Sequence, residues 1–303
     1  MLKKNNRIII GVDHGYGYTK TVETIMKSGV EELPIEPPFN EDILIYNGDI
    51  YTVGQVRTEQ PAEKTQTIDY YILTLAAIAK VLKSHNLKRA NDLIIAVGLP
   101  YSFMSKQADG FKKYLGKNKN VEFKYEGKKY FLGIKEVKVF PQGFPMIATE
   151  LGNTGKDELS VVDIGSRTID VLTFLHGKPL YDKCFSIDRK GTLDCIEVIR
   201  KYYLAEFQEN VDEEIIQNIF QNKKVALPEQ NVKFIKKLVK IYIDDVMKQL
   251  EAKGIKYNVV YCGGGASVLK NYGKEIDPSS VIKDDIYGNA RGYETLAFNI
   301  IKN

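Results

Sequence analysis

The chain contains one short pattern twice, and this repetition constrains the fold more than any other feature of its 303 residues. An apolar, β-rich run leads into Asp13-His14-Gly15, and a second such run leads into Asp163-Ile164-Gly165. A polar turn and a further apolar run follow each unit, which indicates two strands joined tightly. The units are 150 residues apart (163 − 13), about half the chain. We therefore predict an internal structural duplication with one such turn in each half.

The first half alternates predicted strands and helices. Residues 43–54 alternate around Asn47-Gly48, which is a strong hairpin signal. Residues 68–84 carry apolar side chains at helical spacing, and residues 93–100 form a continuous apolar run typical of a strand buried on both faces. A helix of about three turns is predicted over residues 142–152, after the first proline of VFPQGFP.

The second half follows the same plan. Gly191-Thr192 opens a predicted helix, and residues 230–253 form a long amphipathic one. A strand then enters the glycines of CGGGAS at residues 262–267, and a closing helix covers residues 287–302. The apolar side of the long helix is predicted to contain Phe234, Leu238, Ile241, Val246 and Leu250.

Composition excludes several classes of protein. Apolar residues make up 44% and charged residues 27%, which is typical of a globular protein in water, and the net charge of +4 gives no reason to expect nucleic acid or a membrane surface as a direct partner. The three cysteines have no Cys-x-x-Cys spacing, so free thiols in a reducing compartment are expected. The apolar run near the start is interrupted by Asp13 and is too short for a signal peptide. We expect a cytoplasmic protein.

The two turns have the composition of phosphate-binding loops. A glycine-containing hairpin can point several backbone N–H groups at one phosphate. Gly15 and Gly17 belong to the first turn, while Gly165 belongs to the second and has the hydroxyls of Ser166 and Thr168 beside it. Two turns of this kind predict a polyphosphate ligand.

Charged residues at the turns match a metal-nucleotide complex. Asp13 and Asp163 are hard oxygen ligands that suit Mg²⁺, mostly through water, and Lys20 suits a phosphate oxygen. Two common nucleotide motifs are excluded, because Lys20 follows Thr19 rather than the glycine of a Walker A loop and also occupies the last glycine position of a dinucleotide fingerprint. In CGGGAS, a base or ribose is expected against the backbone of Gly264, Gly265 and Ala266 near a helix N-terminus.

The ordered set of motifs resembles the actin and heat-shock-chaperone ATPase superfamily. GVDHGYGYTK and NGDIYTVG are most similar to the ParM/StbA-type bacterial actins that segregate plasmids. The resemblance implies an α/β, actin-like two-domain fold, in which each domain is a mixed five-stranded-type sheet flanked by helices and the nucleotide lies in the cleft between them. Domain I would cover residues 1–157 and 286–303, with a small subdomain at about 31–66, and domain II residues 158–285.

The resemblance also assigns roles at matching positions. Gln142 would orient the attacking water, with Asp163 and Asp170 as further catalytic residues. Tyr16 stands where actins have serine, so it would contact phosphate through its backbone. The nucleotide-binding residues would be Gly15, Tyr16, Gly17, Lys20, Gly165, Ser166, Thr168, Gly191, Lys236, Gly264, Gly265 and Ala266, and the Mg²⁺ ligands Asp13 and Asp163.

The implied function is a Mg²⁺-dependent ATPase, with GTP as a possible substrate, that polymerises head to tail and moves plasmid DNA through a DNA-binding adaptor on the plasmid centromere. A small-molecule, sugar-type kinase of the same superfamily is the main alternative, with Asp170 placed for a substrate hydroxyl. Such kinases often carry a cysteine-rich zinc motif, which this sequence lacks. A chaperone ATPase is a third possibility, and it would need a peptide-binding domain beyond the closing helix.

Overall fold

The computed structural model describes residues 1–57, 63–148 and 158–301, which belong to two compact units. Unit 1 comprises Met1–Ala148 and Tyr287–Asn303, and unit 2 comprises Thr149–Ile286. The boundary predicted between residues 157 and 158 falls at the end of a segment outside the described residues, so it stays a prediction.

The described part of unit 1 contains one mixed sheet of ten strands. Its order is β4-β3-β2-β8-β10-β9-β6-β7-β5, with β1 beside β2, and the parallel strands β2, β8 and β10 form its centre. The strands are β1 (Leu2–Lys4), β2 (Arg7–His14), β3 (Tyr18–Lys20), β4 (Ile25–Lys27), β5 (Val30–Leu33), β6 (Ile43–Tyr46), β7 (Asp49–Val53), β8 (Arg89–Leu99), β9 (Asn120–Tyr125) and β10 (Lys128–Pro141).

Helices pack against both faces of this sheet. Successive side chains of a strand point to opposite faces, so a buried apolar strand contributes to the core on both sides. Ile10 and Val12 of β2 join a large apolar cluster that includes residues of α1 (Asp69–Ser84) and α2 (Tyr101–Leu115). Ile9 of β2 instead packs in a second cluster with residues of α7 (Gly288–Ile300). The strand that leads into the first turn is therefore fixed from both sides.

Helix α7 lies very close to the sheet where two strands carry glycine. A side chain at Gly11 would collide with the carbonyl of Ala290, and one at Gly98 would collide with the ring of Tyr293. The N–H of Gly11 donates to Glu294 Oε1 at 3.1 Å. Burial raises the pKa of this glutamate, although the Gly11 N–H and the terminal amino group act to lower it.

Gly98→Ala should lower the free energy of unfolding by about 1–3 kcal/mol, because the added methyl overpacks the contact with Tyr293. Gly110→Ala is the matched control: it lies inside α2 with nothing within 4 Å of the added methyl, and should stabilise by about 0.5–1 kcal/mol. Urea unfolding of both variants measures the difference. Equal midpoints would show that α7 does not pack as described.

The described part of unit 2 contains a six-stranded sheet with the order β13-β12-β11-β15-β16 and with β14 beside β12. Its strands are β11 (Glu158–Ile164), β12 (Thr168–Leu175), β13 (Lys178–Pro179), β14 (Phe185–Asp188), β15 (Val259–Cys262) and β16 (Val281–Ile282). Its helices are α3 (Thr192–Phe207), α4 (Glu213–Phe220), α5 (Glu229–Ala252) and α6 (Ala266–Tyr272).

The predicted α/β class with one mixed sheet in each half is confirmed, while the strand count differs from the expected five per domain. The described residues form ten strands in unit 1, because β5, β6 and β7 extend the sheet through the pairing of β6 with β9. The hairpin at Asn47-Gly48 is confirmed, and both turn residues have positive φ (55° and 97°), as a tight hairpin requires.

The prediction for the long amphipathic helix needs a correction, and the prediction of a helix over residues 142–152 remains open. Helix α5 exists, with Val246 and Leu250 buried as predicted and with Phe234 and Leu238 packed half-buried against the core. Ile241 is 55% exposed, however, and the prediction omitted the buried residues Ile235, Val239 and Ile243. The pattern misled because the buried face begins with a polar residue, Asn231, whose amide donates to the Tyr203 hydroxyl at 2.6 Å. The helix predicted over residues 142–152 lies partly outside the described residues, and its described part contains a 3₁₀ turn at Phe144–Met146.

Among the described residues, the structure has no helix that is both long and apolar enough to span a membrane.

Candidate functional site

The first turn (residues 13–20) joins β2 to β3 and is held by hydrogen bonds to its own backbone and to Ser28. The Gly15 N–H donates to the Tyr18 carbonyl at 3.1 Å. The Ser28 hydroxyl donates to the Gly15 carbonyl at 2.6 Å, and the Ser28 N–H donates to the Gly17 carbonyl at 3.1 Å. Ser28 therefore ties down two carbonyls of the turn.

The second turn (residues 163–170) repeats this geometry between β11 and β12. The Gly165 N–H donates to the Thr168 carbonyl at 2.9 Å, as Gly15 does to Tyr18. A Cβ at Gly15 would lie 2.8 Å from the Tyr18 oxygen, and one at Gly165 would lie 3.0 Å from the Thr168 oxygen. Glycine is thus required at the same place in both turns, because any side chain would crowd a backbone carbonyl.

The start of α3 supports the second turn from behind. The N–H groups of Thr192 and Leu193 donate to the carbonyls of Gly165 and Ser166, at 3.0 and 2.8 Å. A side chain at Gly191 would collide with the backbone of Ser166. The structure therefore explains Gly191, predicted as a nucleotide contact, by its packing against the turn.

Asp194 and Arg167 add charge at this junction. Asp194 Oδ2 accepts from the Gly191 N–H at 3.1 Å, and Asp194 Oδ1 lies 3.6 Å from Arg167 Nη1. Burial raises the pKa of Asp194, although Arg167 and the Gly191 N–H act to lower it. This ion pair links the second turn to the first turn of α3.

In unit 1, three of the predicted site residues lie together. Lys20 Nζ is 3.0 Å from Asp13 Oδ2, and the two residues are register partners in β2 and β3. The Gln142 side-chain amide donates to Asp13 Oδ1 at 3.4 Å. Asp13 is only 3% exposed. The carboxylate, the lysine and the glutamine therefore form one polar group at the base of the first turn.

In unit 2, two carboxylates are paired across the second turn. Asp163 and Asp170 are register partners in β11 and β12, so both point to the same face of the sheet. The hydroxyls of Thr168 and Ser186 donate to the two oxygens of Asp170, at 3.0 and 2.5 Å. These bonds hold the Asp170 carboxylate in place, which suits it to a positioning role.

The donor set suits a magnesium ion held partly by water and nucleotide. No group of three or more His, Cys, Asp or Glu side chains that could enclose a metal occurs in the described residues. Mg²⁺ is commonly bound by one or two carboxylates, with water and substrate phosphates completing its octahedron. Asp13 in unit 1 and Asp163 in unit 2 are each a buried carboxylate of the kind that can fill one such position.

The three glycines of CGGGAS have different surroundings. Gly263 has a φ of 84°, and a side chain there would collide with the Asp163 carboxylate. The Gly265 N–H donates to the Ile164 carbonyl at 2.8 Å, and a side chain at Gly265 would collide with Ile164. A Cβ on Gly264 would have nothing within 4 Å. Only Gly264 therefore presents its backbone to open space, while its neighbours brace the second turn.

The other predicted site residues lie in different parts of the structure. Tyr16 is half-buried within the first turn, and Ala266 is fully buried at the start of α6. Lys236 lies half-buried on α5 and donates to Asn222 Oδ1 at 3.3 Å, after the end of α4. Nothing in the sequence indicated that Ser28 and Lys64 contact the turns. For Gly263, the one available signal was a glycine at the end of a strand, and the structure gives it a positive φ.

Family comparisons agree in both halves of the chain. Residues 11–144 match a family described as the N-terminal domain of actin-like proteins. Residues 161–275 match a family described as the C-terminal part of the archaeal, MreB-like actin homologue.

Comparisons with whole proteins extend over nearly the full chain. Archaeal actin homologs of Thermoplasma acidophilum and Thermoplasma volcanium are each 24% identical over 96% of this chain and 98% of their own length. An archaeal actin homolog solved in complex with ADP is 21% identical, with a TM-score of 0.71 and 96% and 99% of the two chains covered. A subunit of a 15-stranded ParM filament from Clostridium botulinum is 17% identical, with a TM-score of 0.76 and 97% and 100% covered.

Proposed function

Since the chain belongs to the actin-like proteins, we propose that it is a nucleotide-dependent, filament-forming ATPase. The observation that carries this proposal is the repeated turn. In both units a buried aspartate is the penultimate residue of a strand, and the N–H of the glycine two residues later donates to the carbonyl three residues beyond that glycine. Backbone arranged in this way can bind phosphate oxygens, and a carboxylate at its base can hold a hydrated Mg²⁺.

The residues divide the chemistry between them. Lys20, already paired with Asp13, would bind a phosphate oxygen, and Gln142 would hold the attacking water in line with the γ-phosphate. Glutamine is a poor base, so its contribution is orientation rather than proton removal. Bound Mg²⁺ would neutralise charge on the phosphates, with Asp13 and Asp163 as its carboxylate ligands.

The nucleotide is proposed to be ATP, and GTP is a second candidate. ADP is named as the ligand in one similar structure, and the ParM of Bacillus thuringiensis, 14% identical with a TM-score of 0.71, was solved with AMPPNP. Gly191 and Gly265 support the second turn, and the other predicted nucleotide contacts are proposed again. Among these, Gly264 has the space that a nucleoside requires.

Self-association is proposed to be head to tail. The similar structures include the ParM filament from Clostridium botulinum and an Alp12 filament, which is 19% identical with a TM-score of 0.70. A subunit that binds its neighbour through two different surfaces forms an open filament whenever the contact does not close a ring. The ParM/StbA-like motifs further support a cytoplasmic role in plasmid segregation, with a DNA-binding adaptor as the second partner.

Gly264→Val should weaken nucleotide binding by about tenfold or more, because its methyls would occupy the space proposed for the nucleoside. The fold should survive, since nothing lies within 4 Å of the added Cβ. Titration with a fluorescent ATP analogue and Mg²⁺ measures the dissociation constant. Gly110→Val is the matched control, because Gly110 also has open space but lies on α2. Wild-type affinity in Gly264→Val would remove CGGGAS from the nucleotide site.

A further inference from the structure

A buried polar cluster lies behind the first turn, and apart from His14, the middle residue of Asp13-His14-Gly15, its members belong to no sequence motif and no proposed catalytic role. We call it the anchor cluster; its members are His14, Lys64, Tyr70, Thr74 and Phe111. His14 is 0% and Lys64 1% exposed, so both are withdrawn from water. A lysine this deeply buried is rare, because removing an ammonium from water is costly unless its charge is used.

The ammonium of Lys64 is directed at the backbone of the turn. Lys64 Nζ donates to the His14 carbonyl oxygen at 2.6 Å. It also lies 5.1 Å from the centroid of the Tyr70 ring and 5.7 Å from that of Phe111, within range of cation–π attraction. The His14 carbonyl belongs to the peptide that leads into Gly15, so the charge contacts the chain where the turn begins.

The positive charge of the cluster lies on Lys64 rather than on His14. The Thr74 hydroxyl donates to the Tyr70 carbonyl at 2.6 Å, so it accepts a hydrogen bond from His14 Nε2–H at 2.7 Å. The other ring nitrogen, Nδ1, has no hydrogen-bond partner among the described residues. A neutral imidazole has one N–H to donate, and His14 uses it at Nε2, so the geometry fits an uncharged ring.

The anchor cluster lies on one side of the first turn, and the polar group of Asp13, Lys20 and Gln142 lies on the other. Successive side chains of β2 point to opposite faces, so Asp13 points away from the face on which His14 contacts α1 and α2. Lys20 neutralises Asp13 on one face, while Lys64 places its charge against the backbone from the other. The turn thus has a second cation that no side chain of the turn supplies.

We propose that Lys64 is a positioning residue for the nucleotide, which fixes the first turn and supplies positive charge behind it to stabilise bound polyphosphate. This inference rests on the proposed function, because it assumes that phosphates bind at the first turn. Its effect should grow with the number of phosphates, since each adds negative charge near the ammonium. By linkage, bound nucleotide should in turn keep Lys64 buried.

Lys64→Met tests the charge while retaining a flexible side chain of similar length that can pack against Tyr70 and Phe111. Titrations of ATP, ADP and adenosine with Mg²⁺ should show an affinity loss of about tenfold or more for ATP, a smaller loss for ADP and almost none for adenosine. The matched control is Lys80→Met, which removes an ammonium bonded to Asp42 at 2.8 Å and placed over the Tyr125 ring. It should bind all three as the wild type does.

Labelling of the unaltered protein gives a second readout that no folding defect can obscure. Mass spectrometry after brief acetylation should show Lys64 reacting far more slowly than exposed Lys128, and more slowly still when Mg-ATP is present. Equal labelling of the two lysines, or labelling of Lys64 that nucleotide leaves unchanged, would overturn the proposal. A folded Lys64→Met variant that binds ATP as the wild type does would also overturn the proposal. A wild-type protein that binds no nucleotide would instead overturn the proposed function, and this inference with it.

Discussion

Asp163→Ala should reduce nucleotide hydrolysis by about 100-fold or more, because it removes the carboxylate that the second turn offers to Mg²⁺. Asp163 is 5% exposed. Gly263 lies beside it, and the absence of a side chain at Gly263 leaves room for the carboxylate. The smaller alanine side chain creates no new clash at this position, so the fold should tolerate the change.

Phosphate release at saturating Mg-ATP measures this effect, and thermal unfolding shows whether the variant remains folded. Asp163→Asn should behave similarly, because an amide keeps the shape but loses the charge. Asp182→Asn is the matched control, since it removes an exposed carboxylate from the same unit and should leave turnover unchanged. Excess chelator should reduce wild-type turnover to the level of Asp163→Ala. Near-normal hydrolysis by either Asp163 variant would exclude the second turn from metal binding.

Gln142→Ala should keep nucleotide affinity within a few-fold and slow phosphate release by about tenfold or more, the effect expected of losing a group that positions water. The structure supports this role because Gln142 follows β10 directly and its amide lies 3.4 Å from Asp13 Oδ1. The side chain is thereby fixed beside the first turn rather than directed at solvent.

Single-turnover measurements separate the two quantities, because they report hydrolysis after binding is complete. Gln249→Ala is the matched control: its amide also donates to an aspartate, Asp245 at 2.8 Å, but on helix α5. It should hydrolyse at the wild-type rate. Normal turnover in Gln142→Ala would move the role elsewhere, and Asp170 would be the next candidate despite its two hydroxyl partners.

The turns and hairpins could be predicted from sequence because their chemistry is local. Asn47-Gly48 adopts the two positive φ values that this pair favours, and Gly15 and Gly165 lie where a side chain would crowd a carbonyl. Each of these signals depends on residues only a few positions apart. The duplication of Asp-x-Gly predicted one such turn in each half, while the fold class came from the resemblance of the ordered motifs to actin-like ATPases.

The remaining features depend on contacts between distant residues. Lys64 resembles any loop lysine in sequence, and only the packing of α1 and α2 buries it beside His14. The burial of Asn231 at the start of α5 could not be predicted, because its amide is satisfied by Tyr203, 28 residues away. The glycines of CGGGAS could be recognised as a motif, but their separate surroundings became visible only where they meet Asp163 and Ile164.

The most direct test of the central claim is right-angle light scattering of the purified protein on addition of Mg-ATP or Mg-GTP, with electron microscopy of the same samples. Scattering should rise above a critical protein concentration and fall as nucleotide is consumed, because hydrolysis removes the γ-phosphate that stabilises the polymerising state. A non-hydrolysable analogue, or Gln142→Ala with ATP, should prolong the plateau, and micrographs from the plateau should show filaments. A protein that stays monomeric at high concentration with every nucleotide, and that phosphorylates a small alcohol instead, would contradict the account and favour the kinase alternative.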